Sequence, residues 1–378
     1  MINNIFQKDL DYFLEKLEEK HICMYYKITK SELFEYIKSY LNIHEIMNEL
    51  EFGNLLKIII KQLGDSHTRI VIPDEGQLPI KLNFIGNKLY VGKSEKEKYN
   101  NQEIISINNI SVEKIIGELE KYTCYETKGW LDHRIEIDLT NTKRILGFLP
   151  SKEIIKVEYY LDNQESILFD INQRYDISFL KENNNFTLYK KGKSLVFVYK
   201  SCIEPEPNLM NSKVNEIKNI LEMDKIEKII IDLRGNLGGS SRIINPLIDF
   251  LKTANLKVIV LVDHSCFSST LFAINQLKQI GSIFIGEEIG SPINHFGELE
   301  NFVLPNTKIK IYFSTKYFYI DNNQFLTQVI TQKDFLSLES EKIKPNYFYP
   351  DIYVQRNIDD NKKGIDTTLK IALDYKNN

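Results

Sequence analysis

The sequence lacks several features that mark particular classes of protein. Its 378 residues contain no apolar run of the roughly 18 residues that a membrane-crossing helix needs. Lysine and arginine total 48 against 52 aspartates and glutamates, and no basic stripe is present, which argues against a nucleic-acid groove. Low-complexity segments and internal repeats are also absent. The composition, 43% hydrophobic and 26% charged, indicates an ordinary globular chain of two or three domains.

Cysteine is scarce, and the N-terminus has no secretory pattern. The four cysteines, at 23, 124, 202 and 266, lie far apart and form no CxxC pair. From Lys8 onward the N-terminus alternates charged and apolar residues, whereas a secretory signal has an uninterrupted apolar core. We therefore expect a cytoplasmic protein with free thiols, no metal site, and no membrane partner.

The residue pattern divides the chain into four regions. Residues 1–72 are predicted to be mostly helical, and residues 73–125 have the short strands and polar turns of a β-rich region. A connecting region, 126–184, has a weaker pattern. In residues 185–378 strands alternate with helices of about a dozen residues, which predicts an α/β domain with parallel pairing.

A glycine loop follows the apolar strand in EKIIIDLRGNLGGSS. Gly235, Gly238 and Gly239 allow positive φ and bring backbone N–H groups close to a ligand atom. The loop has neither a G-K-[ST] ending nor G-x-G-x-x-G spacing, which argues against a phosphate loop. An oxyanion-binding loop and a plain strand-to-helix turn both remain compatible with this segment.

A serine pair stands where a helix is predicted to begin after the next strand, in VDHSCFSSTLFAINQLK. Ser268 or Ser269 would serve equally well as an ordinary N-cap or as a nucleophile, because a helix N-terminus favours developing negative charge. The segment has no G-x-S-x-G elbow, so an α/β-hydrolase site is not indicated.

A serine nucleophile needs a base, and two of the six histidines stand out. His67 lies in GDSHT, directly after a predicted helix and among groups that can orient an imidazole. His295 follows a strand and a glycine turn in GSPINHFGE. His21 and His44 have ordinary polar neighbours and receive no role. A lone histidine is more often structural, so a catalytic role for either residue is inferred from its co-occurrence with the glycine loop and the serine helix.

Together these segments resemble the C-terminal-processing (tail-specific) serine peptidase family, including its tricorn-core branch. The matching stretches are LGDSHTRI, KIIIDLRGNLGGSS, and CFSSTLFAINQLKQIGSIFIGEE followed by NHFGE and FSTKYF, in the family's order. The resemblance implies a crotonase-like superhelical (ββα) catalytic domain with an N-terminal helical bundle. It also implies that the β-rich region is a small, degenerate PDZ-like module, without an evident carboxylate-binding loop.

The resemblance also implies roles for individual residues. Ser268 falls at the nucleophile position, and Ser269 would supply one oxyanion-hole N–H. The other N–H would come from Gly239, with Gly238 as the close alternative. His67 falls where the tricorn branch carries its general base, with Ser66 as that base's serine neighbour.

One departure from the family pattern affects the mechanism. Much of the family uses a Ser-Lys dyad, but Pro292 stands where that lysine is expected. This leaves a Ser-His mechanism through His67 with a carboxylate completing it. Glu298 is the preferred carboxylate, and Asp65 and Glu287 compete with it.

The sequence thus predicts a serine endopeptidase, a hydrolase acting on peptide or protein substrates without a cofactor, with homo-oligomerisation possible. The alternative is a catalytically degenerate member that binds a hydrophobic ligand or a peptide without cleaving it. A third hypothesis is a scaffold that captures partners through the PDZ-like region, but it assigns no function to the GDSHT segment.

Overall fold

The computed structural model describes residues 2–149, 156–181, 184–320, 327–335 and 343–376. Within these ranges the chain forms three β-sheets and the helices that pack on them. The mixed α/β class expected from the sequence is confirmed. Among the described helices, none has the length and apolar character of a bilayer-spanning segment.

Three helices form the N-terminal region: α1 (Asn4–Lys20), α2 (Lys30–Ile43) and α3 (Glu49–Leu63). Capping boxes at Thr29 and Asn48 begin the second and third helices, and Gly64 ends the third in the left-handed conformation. Apolar side chains of these helices share a core with residues from three later strands. All three helices lie within residues 1–72, the region for which the sequence predicts mostly helical structure.

A four-stranded antiparallel sheet joins distant parts of the chain. It contains β1 (Arg69–Val71), β13 (His295–Val303), β14 (Lys310–Ile320) and β15 (Thr327–Ile330), and both β1 and β13 pair with β14. Because β1 directly follows the GDSHT segment, this sheet brings that segment close to the beginning of β13.

The predicted β-rich region and the connecting region together form a six-stranded antiparallel sheet with three helices. Its strands are β2 (Ile80–Ile85), β3 (Lys88–Ser94), β4 (Glu103–Ile107), β5 (Ile110–Ser111), β6 (Lys156–Leu161) and β7 (Ser166–Asp170). Its helices are α4 (Val112–Tyr122), α5 (Lys128–Asp138) and α6 (Thr142–Leu146). The predicted Gly86-Asn87 hairpin turn is confirmed, since both residues have positive φ between β2 and β3.

The C-terminal region contains a mainly parallel six-stranded sheet. Its order is β16 (Ile352–Tyr353), β12 (Ile283–Gly286), β11 (Lys257–Val262), β10 (Lys228–Asp232), β9 (Ser194–Val198) and β8 (Thr187–Lys191). Every neighbouring pair is parallel except β8 with β9. The helices of this part of the chain are α7 (Leu209–Met223), α8 (Asn245–Leu251), α9 (Ser269–Gln279), α10 (Gln332–Phe335), α11 (Ile358–Lys362) and α12 (Thr367–Asp374). Of these, α10 packs on β14 of the four-stranded antiparallel sheet.

The topology of this sheet positions the candidate site. Strands β10 and β11 are adjacent and parallel, so the loops that follow them leave the same edge of the sheet. The glycine loop follows β10, and the segment with the serine pair follows β11. The four domain boundaries, the superhelical description and the PDZ-like description remain predictions.

Candidate active site

The glycine loop after β10 bends by left-handed backbone conformations at all three of its glycines, 235, 238 and 239. At Gly238 the φ is 101°, and an added Cβ would lie 2.8 Å from the Cβ of Ser268 and from the backbone nitrogen of Ser269. A side chain at this position would therefore collide with the serine turn. Glycine is required because the two loops approach backbone to backbone.

Asn236, which has no solvent-exposed surface, connects the two loops. Its amide group donates to the carbonyl of Tyr199 (2.8 Å) and its Oδ1 accepts from the N–H of Gly238 (2.9 Å). Its carbonyl oxygen accepts from the Phe267 N–H and from the Thr270 hydroxyl. The sequence analysis did not identify this residue, although its place inside the DLRGN segment was the available signal.

Ser268 has an unusual backbone conformation at the N-terminus of α9. Its φ is 55° and ψ is −126°, and its side chain makes no hydrogen bond that caps the helix. A non-glycine residue with such dihedrals stores about 1–3 kcal/mol of strain, a feature that clusters at functional sites. The helix begins at Ser269, so the predicted start is confirmed. Ser268 occupies the N-cap position, but its hydroxyl accepts no hydrogen bond from the backbone of the first turn.

Two backbone N–H groups near Ser268 are available to a ligand. Among the described residues, none accepts a hydrogen bond from the N–H of Gly239 or of Ser269. The Ser269 hydroxyl donates to the carbonyl of Gly239 (2.6 Å), which joins the two segments. The N–H of Gly238 is already engaged by Asn236, so Gly239 is the better of the two predicted glycine donors.

His67 is buried between α3 and β1 with its ring against the serine segment. Its ring centroid lies 4.0 Å from that of Phe267, nearly parallel to it, and 5.5 Å from that of His295. Neither ring nitrogen has a hydrogen-bond partner among the described residues. Burial lowers the pKa of His67 to about 3, although Asp65 opposes the shift, so the imidazole is neutral at pH 7.

Asp65 is a fully buried carboxylate that holds this turn together. It accepts hydrogen bonds from the His67 N–H (2.8 Å) and the Thr68 hydroxyl, and His21 Nε2 lies 3.2 Å from its Oδ2. Its Oδ1 is 3.9 Å from His67 Nδ1. Burial raises the pKa of Asp65, but His21 and the other partners outweigh that effect and hold it below its usual range. His21, which received no role from the sequence, thus supports this turn.

Ser66 has a different environment from its neighbour. Its hydroxyl donates to Glu126 Oε2 (2.6 Å), and the residue lines an internal cavity of about 60 Å³ rather than the cavity beside Ser268. Burial raises the pKa of Glu126 to about 7. The sequence analysis did not identify Glu126, and the structure connects Ser66 to it.

One cavity of about 620 Å³ contains most of the predicted site residues. Its walls include His67 and Ser268, which are roughly 200 residues apart in the sequence. The other predicted site residues that line it are Gly239, Ser269, His295 and Glu298. The fold therefore brings the predicted base and the predicted nucleophile to the same cavity.

The three candidate carboxylates have different positions. Glu298 lines the cavity but its side chain is 61% exposed, with its closest ion pair to Lys316 at 3.9 Å. Glu287 lies elsewhere, in a network with His264 and Arg356. Of the three carboxylates, Asp65 is the one that contacts His67, with its Oδ1 3.9 Å from His67 Nδ1. His295 also lines the cavity, and its Nδ1 lies 2.7 Å from the carbonyl of Ile293.

Replacing Gly238 with alanine tests the close approach of the two loops. We expect Gly238→Ala to lower the free energy of unfolding by about 1–3 kcal/mol more than Gly192→Ala does, because only the first substitution creates a clash. Gly192 is the matched control, since it also has positive φ but open space around its Cβ position. Equal losses in chemical denaturation of the two variants would contradict the close packing.

Replacing His67 with phenylalanine tests whether its polarity stabilises the fold. The unpartnered ring nitrogens predict that His67→Phe keeps the free energy of unfolding or raises it by up to about 3 kcal/mol. The gain should grow as the pH falls below 6.5, since the unfolded chain takes up a proton there and the folded chain does so only near pH 3.

His21→Phe is the control for this experiment, and it should destabilise the protein because Asp65 loses a partner. Denaturation curves at several pH values measure both effects. A His67→Phe protein that is less stable than wild type at every pH would show that the imidazole is structural.

Comparison with known proteins finds similarity in structure only. No family model matches the chain, and no curated protein gives a significant match. Mature CPAF complexed with lactacystin matches with a TM-score of 0.68 and 11% identity over 95% of both chains. A CPAF mutant matches with a TM-score of 0.65 and 12% identity over 100% of this chain and 99% of the other. The resemblance drawn from the motifs is thus confirmed as a likeness of fold, shared with CPAF.

Proposed function

We propose that this protein is a serine-type peptidase in which Ser268 is the nucleophile and His67 is the general base. The observation that carries the proposal is the shared cavity, because residues far apart in the sequence line it together. The strained backbone at Ser268 and the two available N–H groups support the same assignment. The likeness of fold to CPAF is compatible with it.

The proposed reaction is acyl transfer to water. A neutral His67 takes the proton of the Ser268 hydroxyl as its oxygen attacks the peptide carbonyl carbon. The N–H groups of Gly239 and Ser269 bind the oxyanion that forms, and each such donor typically lowers the barrier by about 3 kcal/mol. The imidazolium then gives its proton to the leaving amine, and a water molecule activated by His67 releases the acyl group.

We assign the supporting carboxylate to Asp65 instead of Glu298. Asp65 lies 3.9 Å from His67 Nδ1 and is buried, so its negative charge acts on the imidazolium with little screening by water. Burial alone makes His67 a poor proton acceptor, and Asp65 raises its proton affinity. Glu298 is the more exposed of the two and is better suited to contact the substrate at the cavity mouth.

The cavity fits a peptide or protein substrate. Its walls combine apolar side chains with polar groups around Ser268, and the apolar members are Leu237, Phe267, Phe272, Leu299 and Phe318. Such walls can hold substrate side chains while the backbone carbonyl reaches the N–H groups. Tail-specific cleavage, the Ser66 contribution and the cytoplasmic location stay predictions from the sequence.

Labelling with a fluorophosphonate probe tests the nucleophile. Wild type and the Ser212→Ala control, which changes an exposed serine on α7, should both be labelled and hydrolyse peptide. Ser268→Ala should lose both properties while its unfolding curve changes little. Full labelling of Ser268→Ala would contradict the assignment, and loss of that labelling on changing Ser265 would move the nucleophile there.

The pH dependence of kcat/KM tests the state of the base. Because the pKa of His67 is about 3, well below the ordinary 6.5, the imidazole stays neutral from pH 7 down to pH 5. We therefore expect kcat/KM to show no fall with a midpoint near 6.5.

Glu126→Gln is the control for this profile, since Glu126 has a pKa of about 7 and contacts the residue beside His67. Any limb near pH 7 that disappears in this variant belongs to Glu126. A limb near 6.5 that persists in Glu126→Gln would contradict the lowered pKa of His67.

A further inference from the structure

A second cluster of polar side chains lies where α5 meets the loop after β11. It consists of His133 and Glu136 on α5 and His264 in the loop, all at most partly exposed. One ring nitrogen of each histidine and one carboxylate oxygen of Glu136 lie within 4.8 Å of one another. The spacing of His133 and Glu136 by three residues puts both on the same face of the helix.

The two histidines are oriented by groups outside the cluster. Glu287 Oε2 lies 3.2 Å from His264 Nδ1, and the Ser265 hydroxyl lies 3.0 Å from His133 Nδ1. At metal sites an oxygen acceptor, usually a carboxylate, a backbone carbonyl or water, binds the second ring nitrogen of a histidine, fixes the ring and directs the other nitrogen to the metal. Glu287 and the Ser265 hydroxyl place an oxygen at that position here.

Glu136 is held in the same way. Its Oε1 accepts from the backbone N–H of Phe84 (2.7 Å) and from Arg356 (3.1 Å). Its Oε2 lies 3.0 Å from His264 Nε2. The oxygen that faces the histidine is thus separate from the oxygen that anchors the side chain.

Charge and access also suit a cation at this place. Arg356 contacts Glu136, Glu287 and the His264 ring, and the two carboxylates together carry one more charge than this single arginine balances. The cluster opens onto a cavity of about 580 Å³, through which an ion can enter.

We propose that His133, Glu136 and His264 bind a divalent transition-metal ion such as Zn²⁺. Two imidazoles and one carboxylate are a donor set that holds zinc while leaving a coordination position open, here toward the cavity. This proposal does not depend on the assignment of Ser268.

The other grouping of metal-ligating side chains in the described residues fits an ion less well. It contains Asp65, His67 and Glu126, with a single imidazole. Its carboxylates are already engaged, since Asp65 accepts from neighbouring donors and Glu126 accepts from Ser66. We therefore expect a single ion, in the first cluster.

A bound ion would have a structural consequence near Ser268. His264 lies four residues before Ser268 in the loop after β11. His133 belongs to α5, which packs on β2 of the six-stranded antiparallel sheet. The ion would therefore fix that helix to the segment that leads into the serine turn.

Calorimetric titration of the full-length, chelator-treated protein with Zn²⁺ tests the proposal. We expect the titration to reach saturation at one ion per chain. Co²⁺ should give visible absorption bands from the same site. His133→Gln and Glu136→Gln should weaken Zn²⁺ binding at least as much as the roughly 10- to 100-fold loss caused by removing an outer partner.

Two further variants keep the experiment decisive. His67→Gln should bind Zn²⁺ with the affinity of wild type, because His67 belongs to the grouping with Asp65 and Glu126 and not to the proposed site. Ser265→Ala keeps all three ligands and should weaken binding about 10- to 100-fold, which gives a readout if the ligand variants do not fold. No binding of Zn²⁺ or Co²⁺ by wild type, equal affinity in His133→Gln and Glu136→Gln, or loss of binding in His67→Gln would each overturn the proposal.

Discussion

The approach of Gly238 to Ser268 is the contact on which the proposed chemistry depends. Only a glycine lets the loop after β10 lie against the turn after β11, and Asn236 holds both loops by hydrogen bonds from buried atoms. Their packing keeps Ser268 at a positive φ, which residues other than glycine rarely adopt. It also leaves the N–H groups of Gly239 and Ser269 beside Ser268. The backbone strain of the proposed nucleophile and the two proposed oxyanion donors therefore arise from the same packing of the two loops.

A second constraint brings the proposed base, His67, to the same cavity. Strand β1 follows His67 directly and pairs with β14, and β14 pairs with β13, whose first residue is His295. The pairing of sequence-distant strands in one sheet thus places an imidazole from the N-terminal region at the cavity of the C-terminal region. Burial lowers the pKa of that imidazole and keeps it neutral at pH 7, and its ring nitrogens have no hydrogen-bond partner among the described residues.

The sequence predicts local features of this protein better than its long-range contacts. The strands and helices from β9 to β12 follow from apolar runs and helical spacing, and the Gly86-Asn87 turn follows from its residue types. The contacts of Asp65 with His21 and of Ser66 with Glu126 join separate elements, and no local pattern encodes such pairs. Asp65, by contrast, lies only two residues before His67 in the chain, so its contact with the His67 ring is a local one.

A crystal structure of the protein after reaction with a fluorophosphonate would test the central claim most directly. The account predicts phosphorus bonded to Ser268 Oγ, a phosphonyl oxygen about 3 Å from the N–H groups of Gly239 and Ser269, and a ring nitrogen of His67 facing the adduct. An adduct on another serine, or one on Ser268 with its oxygen away from these donors and His67 outside the cavity, would contradict it.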